Sequence, residues 1–262
     1  MDFFMTPEIN EYLRQIRHHK PFILTITNYF PMGYVGSGIR SIGGFPLMCG
    51  AEEEVDELLE ISKAVIINLG KLDNNFIKLC HRICKIANQR NIPIILDPVG
   101  AGASRYRTEV AINITKKYQI AIIRGYPNEI TSLVTGKLVI QDNQYLDNKN
   151  IIENANVLSK EYQVAVVVSG KRHVVIHREQ MDQFNFDSAL VQKVAGIGNL
   201  LSAIISVFHS VVDDQFLAAK NAVHFYAECV GPTSSGASGP ASLIIGIIDK
   251  IYINATKAQL FT

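Results

Sequence analysis

A glycine-spaced turn leads into one of the most apolar segments of the chain. Residues 195–199 read Ala-Gly-Ile-Gly-Asn and are followed directly by LLSAIISVF. Two glycines let successive backbone N–H groups point into one space, and the start of a helix carries a partial positive charge. Gly196, Gly198 and Asn199 are therefore candidates for holding a phosphate or a developing negative charge. The alternative is a plain helix start that uses glycine for a tight turn.

Polar residues end four other apolar segments of the sequence. They are Asn68 and Gly70, Asp97, Arg124 and Ser169, and a turn is expected after each segment. In an open parallel sheet, the carboxyl ends of the strands line one ligand-binding crevice. Four polar strand ends of this kind predict a shared site at that edge of the sheet.

Two carboxylates and the strand-end arginine and serine point to phosphate chemistry. Asp97 suits Mg²⁺ held through water, because magnesium keeps several waters and takes few protein oxygens; an Asx turn with Pro98 is the alternative. Glu129 is a second metal candidate, or a first-turn glutamate that stabilises a helix start. A buried Arg124 needs a partner, which is either a nucleotide phosphate or Glu129. Ser169 is placed to bind a phosphate or a nucleobase-side group, or it satisfies its own turn.

The elements that must position these residues alternate along the chain. Amphipathic helix-like segments separate five apolar strand-like segments, at 22–27, 63–70, 92–100, 119–125 and 163–170. This alternation predicts an α/β fold with a central, mostly parallel sheet flanked by helices on both faces. Alternating residues after position 173 predict antiparallel β-structure at one edge. Three helices are expected at 199–211, 214–229 and about 239–254, and the uninterrupted pattern predicts a single domain over residues 1–262.

Composition and charge exclude several classes of protein. The formal net charge is +1, which gives no electrostatic basis for binding nucleic acid or an anionic membrane. The longest apolar runs are too short for a membrane span. Four cysteines without paired spacing do not match a zinc site and indicate a reducing, cytoplasmic location. His173 and His177 are expected at the surface, and the Gly/Ser stretch at 231–240 is a lid, a loop beside a nucleotide or a helix connection.

The order of several motifs resembles the hydroxyethylthiazole kinase family of the ribokinase-like superfamily. The motifs are SIGGFPLM, LDPVGAGAS, RGYPNEI, VVVSG and VAGIGN, and the resemblance extends from about Thr25 to Tyr252. It implies a three-layer ribokinase-like fold and an enzyme that uses ATP and Mg²⁺ to phosphorylate the hydroxyl of 4-methyl-5-(2-hydroxyethyl)thiazole in thiamine salvage. It also implies a homotrimer with active sites between subunits.

The resemblance implies roles for individual residues as well. The residues of the implied thiazole pocket are Met48, Gly196, Asn28, Asn68 and Gly70; those of the nucleotide site are Arg124 and Ser169; and those near Mg²⁺ and the phosphates are Asp97 and Glu129. The polarizable thioether of Met48 suits a flat sulfur heterocycle.

Three positions depart from the family pattern. Asn199 stands where the family usually has cysteine and the superfamily aspartate, and a neutral amide is not a useful base near pH 7. Tyr126 replaces an asparagine that helps to order the metal site, and Lys71 stands where a small hydroxyl residue is common. Two alternatives to a thiazole kinase therefore stay open. One is a non-catalytic or weakly active binding protein of the same fold, and the other is a kinase of another small alcohol.

Overall fold

The computed structural model describes residues 5–140, 148–185 and 189–258, apart from the side chains at 29–31, 148 and 185. The strands in these ranges are β1 (Phe22–Ile26), β2 (Phe45–Met48), β3 (Ser62–Asn68), β4 (Ile94–Asp97), β5 (Ile122–Gly125), β6 (Ala165–Val168), β7 (Arg172–His177) and β8 (Gln180–Asn185). The α-helices are α1 (Pro7–His19), α2 (Tyr29–Ile42), α3 (Val55–Ile61), α4 (Asn74–Gln89), α5 (Arg105–Lys117), α6 (Pro127–Thr135), α7 (Asn148–Tyr162), α8 (Ile197–His209), α9 (Gln215–Gly236) and α10 (Pro240–Lys257).

The strands form one mostly parallel sheet. Their spatial order is β2-β1-β3-β4-β5-β6-β7-β8. Neighbouring strands from β2 to β6 pair in parallel, whereas the pairs β6–β7 and β7–β8 are antiparallel. This arrangement confirms the predicted parallel sheet with antiparallel structure at one edge. β4 and β6 are buried along their whole length, as expected for strands with both faces covered.

Helices cover both faces of the sheet and bury two separate apolar cores. One core joins α1, α2, α8, α9 and α10 to the sheet and includes Ile39, Leu200 and Phe225. The other joins α3 to α7 to the opposite face and includes Ile83 and Leu158. The predicted three-layer α/β architecture is confirmed. None of the helices in the described ranges is both long and apolar enough to cross a bilayer.

Side chains of Thr6, Asp73, Ser104 and Asp214 accept first-turn N–H groups at the starts of α1, α4, α5 and α9. The Asp73 carboxylate accepts the Phe76 N–H at 2.9 Å at the start of α4, which satisfies one of the free amides of the first turn. α8 begins differently, after Gly196, whose φ of 83° lies in the left-handed region that favours glycine. No side chain of the described residues caps α8. Its first-turn amides are therefore left for another partner.

Two segments differ from the sequence-based expectation. β2 was not predicted, because Pro46 removes a backbone donor; the strand lies at the sheet edge, where that loss is tolerated. α9 extends through Pro232 to Gly236, so most of the Gly/Ser stretch is helical and only residues 237–239 connect α9 to α10. Hydroxyls support this last turn, since Thr233 Oγ1 donates to the Cys229 carbonyl at 2.7 Å.

The expectation that His173 and His177 are surface residues was wrong. His173 is 4% exposed and His177 is 8% exposed. β7 lies between two strands, and α9 covers the face that these histidines share with Val175. The His173 ring lies 6.1 Å from the ring of Tyr226 on α9. The alternating sequence of β7 is not accompanied by an exposed face, because α9 packs on the face that carries the histidines.

Burial of His173 predicts a loss of stability in acid. Burial, and secondarily the Arg124 charge, lowers the pKa of His173 to about 3, against about 6.5 for an unperturbed histidine. Below pH 6.5 the unfolded chain binds a proton that the folded chain refuses, so the free energy of unfolding falls by up to about 1.4 kcal/mol per pH unit toward pH 3. Denaturant unfolding of His173→Phe between pH 7 and pH 4 should show a shallower decline than the wild type. Equal slopes for the variant and the wild type would contradict the prediction.

Candidate active site

The carboxyl ends of three adjacent strands bring Asp97, Arg124 and Ser169 together, as the sequence analysis predicts. Arg124 Nη1 donates to Asp97 Oδ2 at 3.3 Å, and Nη2 donates to the hydroxyl of Ser169. All three residues are at most 2% exposed. The sequence leaves a nucleotide phosphate or Glu129 as the partner of Arg124, whereas in the structure its ion-pair partner is Asp97.

The start of α8 lies directly against this group. The guanidinium of Arg124 covers Gly198 so closely that a Cβ at this position would overlap its Cζ, Nη1 and Nη2 atoms. One turn further into α8, the Ser202 hydroxyl donates to Asp97 Oδ2 at 2.8 Å. Gly198 is buried and Asn199 is half-buried at the same turn. The predicted glycine turn therefore meets the predicted arginine and aspartate in one place.

This arrangement places a positive side chain at the positive end of a helix. Such a contact is unfavourable by itself, because the first-turn amides of α8 attract negative charge. Asp97 offsets part of the cost, and burial raises its pKa while Arg124 and Ser202 favour its ionised form. An anion beside Gly198 would be attracted by the amides and by the guanidinium together.

Glu129 joins two of the loops at this edge. Its Oε1 accepts the Gly100 N–H at 2.9 Å and its Oε2 accepts the Tyr126 N–H at 2.7 Å. Glu129 therefore stabilises the start of α6, which is one of the two roles predicted for it. Burial, followed by the nearby charge of Asp97, raises the pKa of Glu129 to about 7.

The ring of Tyr126 packs against the guanidinium of Arg124. Its ring centroid lies 4.4 Å from Arg124 Cζ, which is within the range of a cation–π contact. The aromatic ring thus adds a non-anionic contact that holds the guanidinium in place. Tyr126 is one of the three positions that differ from the expected family pattern.

The predicted wall residues form a second cluster, after β1 and β3. Asn68 Oδ1 accepts the Gly70 N–H at 2.9 Å, and a Cβ on Gly70 would overlap Asn28 Nδ2. Asn68 Nδ2 is buried and has no hydrogen-bond partner among the described residues. Met48 ends the neighbouring strand β2, in register with Thr25 of β1. Asn28, Asn68 and Gly70 are brought together as predicted, with Met48 one strand away.

Two residues that organise the site, Arg107 and Ser202, were not predicted from the sequence. Arg107 on α5 donates to the carbonyls of Leu69 at 3.0 Å and Gly70 at 3.2 Å, and so holds the loop after β3. Ser202 holds Asp97. Helical spacing gives a signal for Ser202, since it lies four residues after Gly198 and hence on the same face of α8. Arg107 has no comparable signal, because its partners are backbone carbonyls far along the chain.

The donor set fits a hydrated magnesium ion rather than a closed metal site. Within the described residues, no cluster of three or more His, Cys, Asp or Glu side chains is arranged to hold a metal. Magnesium usually takes one or two carboxylates together with substrate phosphates and water. Asp97 Oδ1 is a buried acceptor with no donor among the described residues, and it is suited to such a partner.

Comparisons with known proteins agree with this fold. The model of the hydroxyethylthiazole kinase family matches residues 13–256. The hydroxyethylthiazole kinase of Aliivibrio salmonicida is 32% identical over 248 residues, which are 94% of this chain and 93% of the relative. The hydroxyethylthiazole kinase structure from Pyrococcus horikoshii superposes with a TM-score of 0.84 at 26% identity over 96% of each chain. A ribokinase-like superfamily protein from Enterococcus faecalis shares the fold, with a TM-score of 0.66 at 14% identity over 95% of this chain and 94% of that one.

The parallel sheet with helices on both faces is a ribokinase-like fold, which the Enterococcus faecalis protein shares. Since the family match covers nearly the whole chain, the protein belongs to the hydroxyethylthiazole kinase family. The resemblance stated from the motifs is confirmed.

The contact between Gly198 and Arg124 predicts a strong effect of one methyl group. Gly198→Ala would force the guanidinium away from Asp97, and breaking a buried ion pair costs on the order of 3 kcal/mol. We expect that loss in the free energy of unfolding measured with urea. Gly236→Ala is the matched control, because an added Cβ at this exposed end of α9 meets no atom within 4 Å. If both variants were as stable as the wild type, the close packing of Arg124 on α8 would be wrong.

Proposed function

We propose that the protein is an ATP-dependent kinase that phosphorylates the hydroxyl of 4-methyl-5-(2-hydroxyethyl)thiazole in thiamine salvage. Membership of the hydroxyethylthiazole kinase family supports the reaction and the substrate. The observation that carries the proposal is the convergence of the free amides of α8, the guanidinium of Arg124 and the carboxylate of Asp97. These are the groups that phosphoryl transfer requires, because its catalysis depends mainly on positioning and charge stabilisation.

In this proposal each cluster at the carboxyl edge has a separate task. The amides at the start of α8 and the side chain of Arg124 stabilise the charge on the transferring phosphoryl group, and Ser169 keeps Arg124 in place for the nucleotide. Asn28, Asn68, Gly70, Met48 and Gly196 line the thiazole pocket. The unsatisfied amide of Asn68 would donate to the substrate or to water beside it.

Asp97 and Glu129 are the residues that would hold Mg²⁺. The ion would neutralise charge on the phosphates of ATP when it is bound. Asp97 Oδ1 would accept from its water shell. The pKa of Glu129 is raised first by burial and then by the charge of Asp97, since the two carboxylates share a buried site with one arginine. A cation beside them would relieve that repulsion and lower the pKa of Glu129.

Asn199 makes this a slow kinase. The substrate hydroxyl must lose its proton, and the amide of Asn199 does not accept it near pH 7. General-base catalysis contributes roughly 10²–10⁴ in rate, whereas the loose transition state of phosphoryl transfer leaves most of the catalysis to the other groups. The same residue favours the second candidate function, a binding protein that retains the site and has lost turnover.

We further propose a homotrimeric, cytoplasmic enzyme with active sites between subunits. The family supports the assembly, and the four cysteines, all free and buried, fit a reducing compartment.

A coupled assay of ADP release tests the proposed activity. With purified protein, ATP and Mg²⁺, the rate of ADP formation should rise on addition of the thiazole alcohol and should saturate with its concentration. A rate that is the same with and without the alcohol would contradict the proposal. Calorimetric binding of Mg·ATP or of the alcohol without any turnover would favour the binding-protein alternative.

Restoring a proton acceptor at position 199 should increase the rate. We expect kcat of Asn199→Cys to exceed the wild-type value by roughly 10², the lower end of the range for a general base. Asn199→Ala is the matched comparison, since it removes the amide without adding a base. If a missing base limits the rate, only the Cys variant should have a higher kcat than the wild type in the ADP-release assay. Equal rates for the Cys and Ala variants would show that a missing base does not limit turnover.

A further inference from the structure

A buried serine on α8 connects the phosphate-binding turn to the carboxylate at the end of β4. The Ser202 hydroxyl donates to Asp97 Oδ2 at 2.8 Å, and both residues have no exposed surface. They are separated by 105 positions in the sequence, so this bond is a tertiary link between a helix and a strand. No other side chain of α8 has a described hydrogen bond to a strand-end residue of the site.

The single proton of Ser202 has two acceptors within reach. Serine inside a helix commonly donates to the carbonyl four residues earlier, and the Gly198 carbonyl lies 3.4 Å away. The carboxylate of Asp97 is closer and negatively charged, and a hydrogen bond to a charged acceptor is stronger. The proton therefore goes to Asp97, and the hydroxyl contributes to the site rather than to the helix.

This bond determines which oxygen of Asp97 is available. Ser202 and Arg124 both donate to Oδ2, whereas Oδ1 has no donor in the described part of the chain. A carboxylate held through one oxygen cannot rotate freely. Ser202 thus fixes the orientation of Asp97 and also its distance from the first turn of α8, four residues earlier.

We propose that Ser202 is a positioning residue for phosphoryl transfer, an inference that rests on the proposed kinase activity. It touches neither substrate in the proposed site. It acts by keeping Asp97, and through Asp97 the guanidinium of Arg124, aligned with the amides of Gly198 and Asn199. Its loss should therefore impair the transfer step more than the binding of the thiazole alcohol, whose predicted wall lies at Asn68 and Gly70.

Ser206 provides a matched control on the same helix. It is as fully buried as Ser202 and lies one turn further along α8. Its hydroxyl donates to the Ala203 carbonyl at 2.6 Å, within the helix itself. Ser206→Ala therefore removes an equally buried hydroxyl from the same element without changing the contacts of Asp97.

The experiment compares Ser202→Ala, Ser202→Thr and Ser206→Ala in the ADP-release assay, with circular dichroism to verify folding. We expect kcat of Ser202→Ala to fall about tenfold, with KM for the thiazole alcohol within about twofold of the wild type. Ser202→Thr keeps the hydroxyl and should recover most of kcat, and Ser206→Ala should retain the wild-type kcat. A folded Thr variant with the kcat of the Ala variant, or equal kcat for Ser202→Ala and Ser206→Ala, would overturn the proposal.

A binding measurement separates this inference from the proposed function. If the wild type shows no alcohol-dependent ADP release, the kinase assignment fails, and calorimetry with Mg·ATP then decides the role of Ser202. Binding weakened several-fold in Ser202→Ala but not in Ser206→Ala would support positioning of Asp97. Equal affinities would overturn it, and a wild type that binds no Mg·ATP would overturn both proposals.

Discussion

Arg124 and Asp97 form an ion pair that is almost completely removed from water, and the surrounding groups compensate for that burial. Neither side chain is more than 2% exposed, so each charge depends on its protein neighbours. Removing water from two charges costs several kcal/mol per ion unless further hydrogen bonds are made. Ser202 and Ser169 supply such bonds, and the Tyr126 ring covers the guanidinium. The pair therefore ties β4, β5 and the loop after β6 to the first turns of α8.

Two charges around this ion pair have no opposite charge beside them: one carboxylate, and the positive end of α8. Two buried carboxylates, Asp97 and Glu129, share one arginine, and burial together with Asp97 raises the pKa of Glu129 to about 7. The positive end of α8 faces a guanidinium instead of a negative group. A metal ion near the carboxylates and a phosphate near the amides would correct both imbalances. The constraint that organises the fold at this edge thus supports the proposed binding of a magnesium–nucleotide complex.

Most of the sheet and the composition of the site could be predicted from the sequence. Apolar strands ending in Asp97, Arg124 or Ser169 carry a local signal, because parallel strands bring their carboxyl ends to one edge. Sequence patterns did not reveal that β7 is covered by α9, which buries His173, nor that α9 continues past Pro232 to Gly236. Asp97, the ion-pair partner of Arg124, is not among the expected partners, a nucleotide phosphate or Glu129, because this pair depends on packing across the sheet. Tertiary contacts decide such details, and a single sequence does not encode them locally.

A crystal structure with Mg²⁺, a non-hydrolysable ATP analogue and the thiazole alcohol tests the central claim most directly. That claim is that the first turn of α8, Arg124 and Asp97 act together on one phosphate. We expect the terminal phosphate within hydrogen-bond distance of the backbone N–H groups at Gly198 and Asn199 and of the Arg124 guanidinium. We also expect the alcohol oxygen beside Asn199. A nucleotide bound elsewhere, with Arg124 still covering Gly198, would contradict the claim.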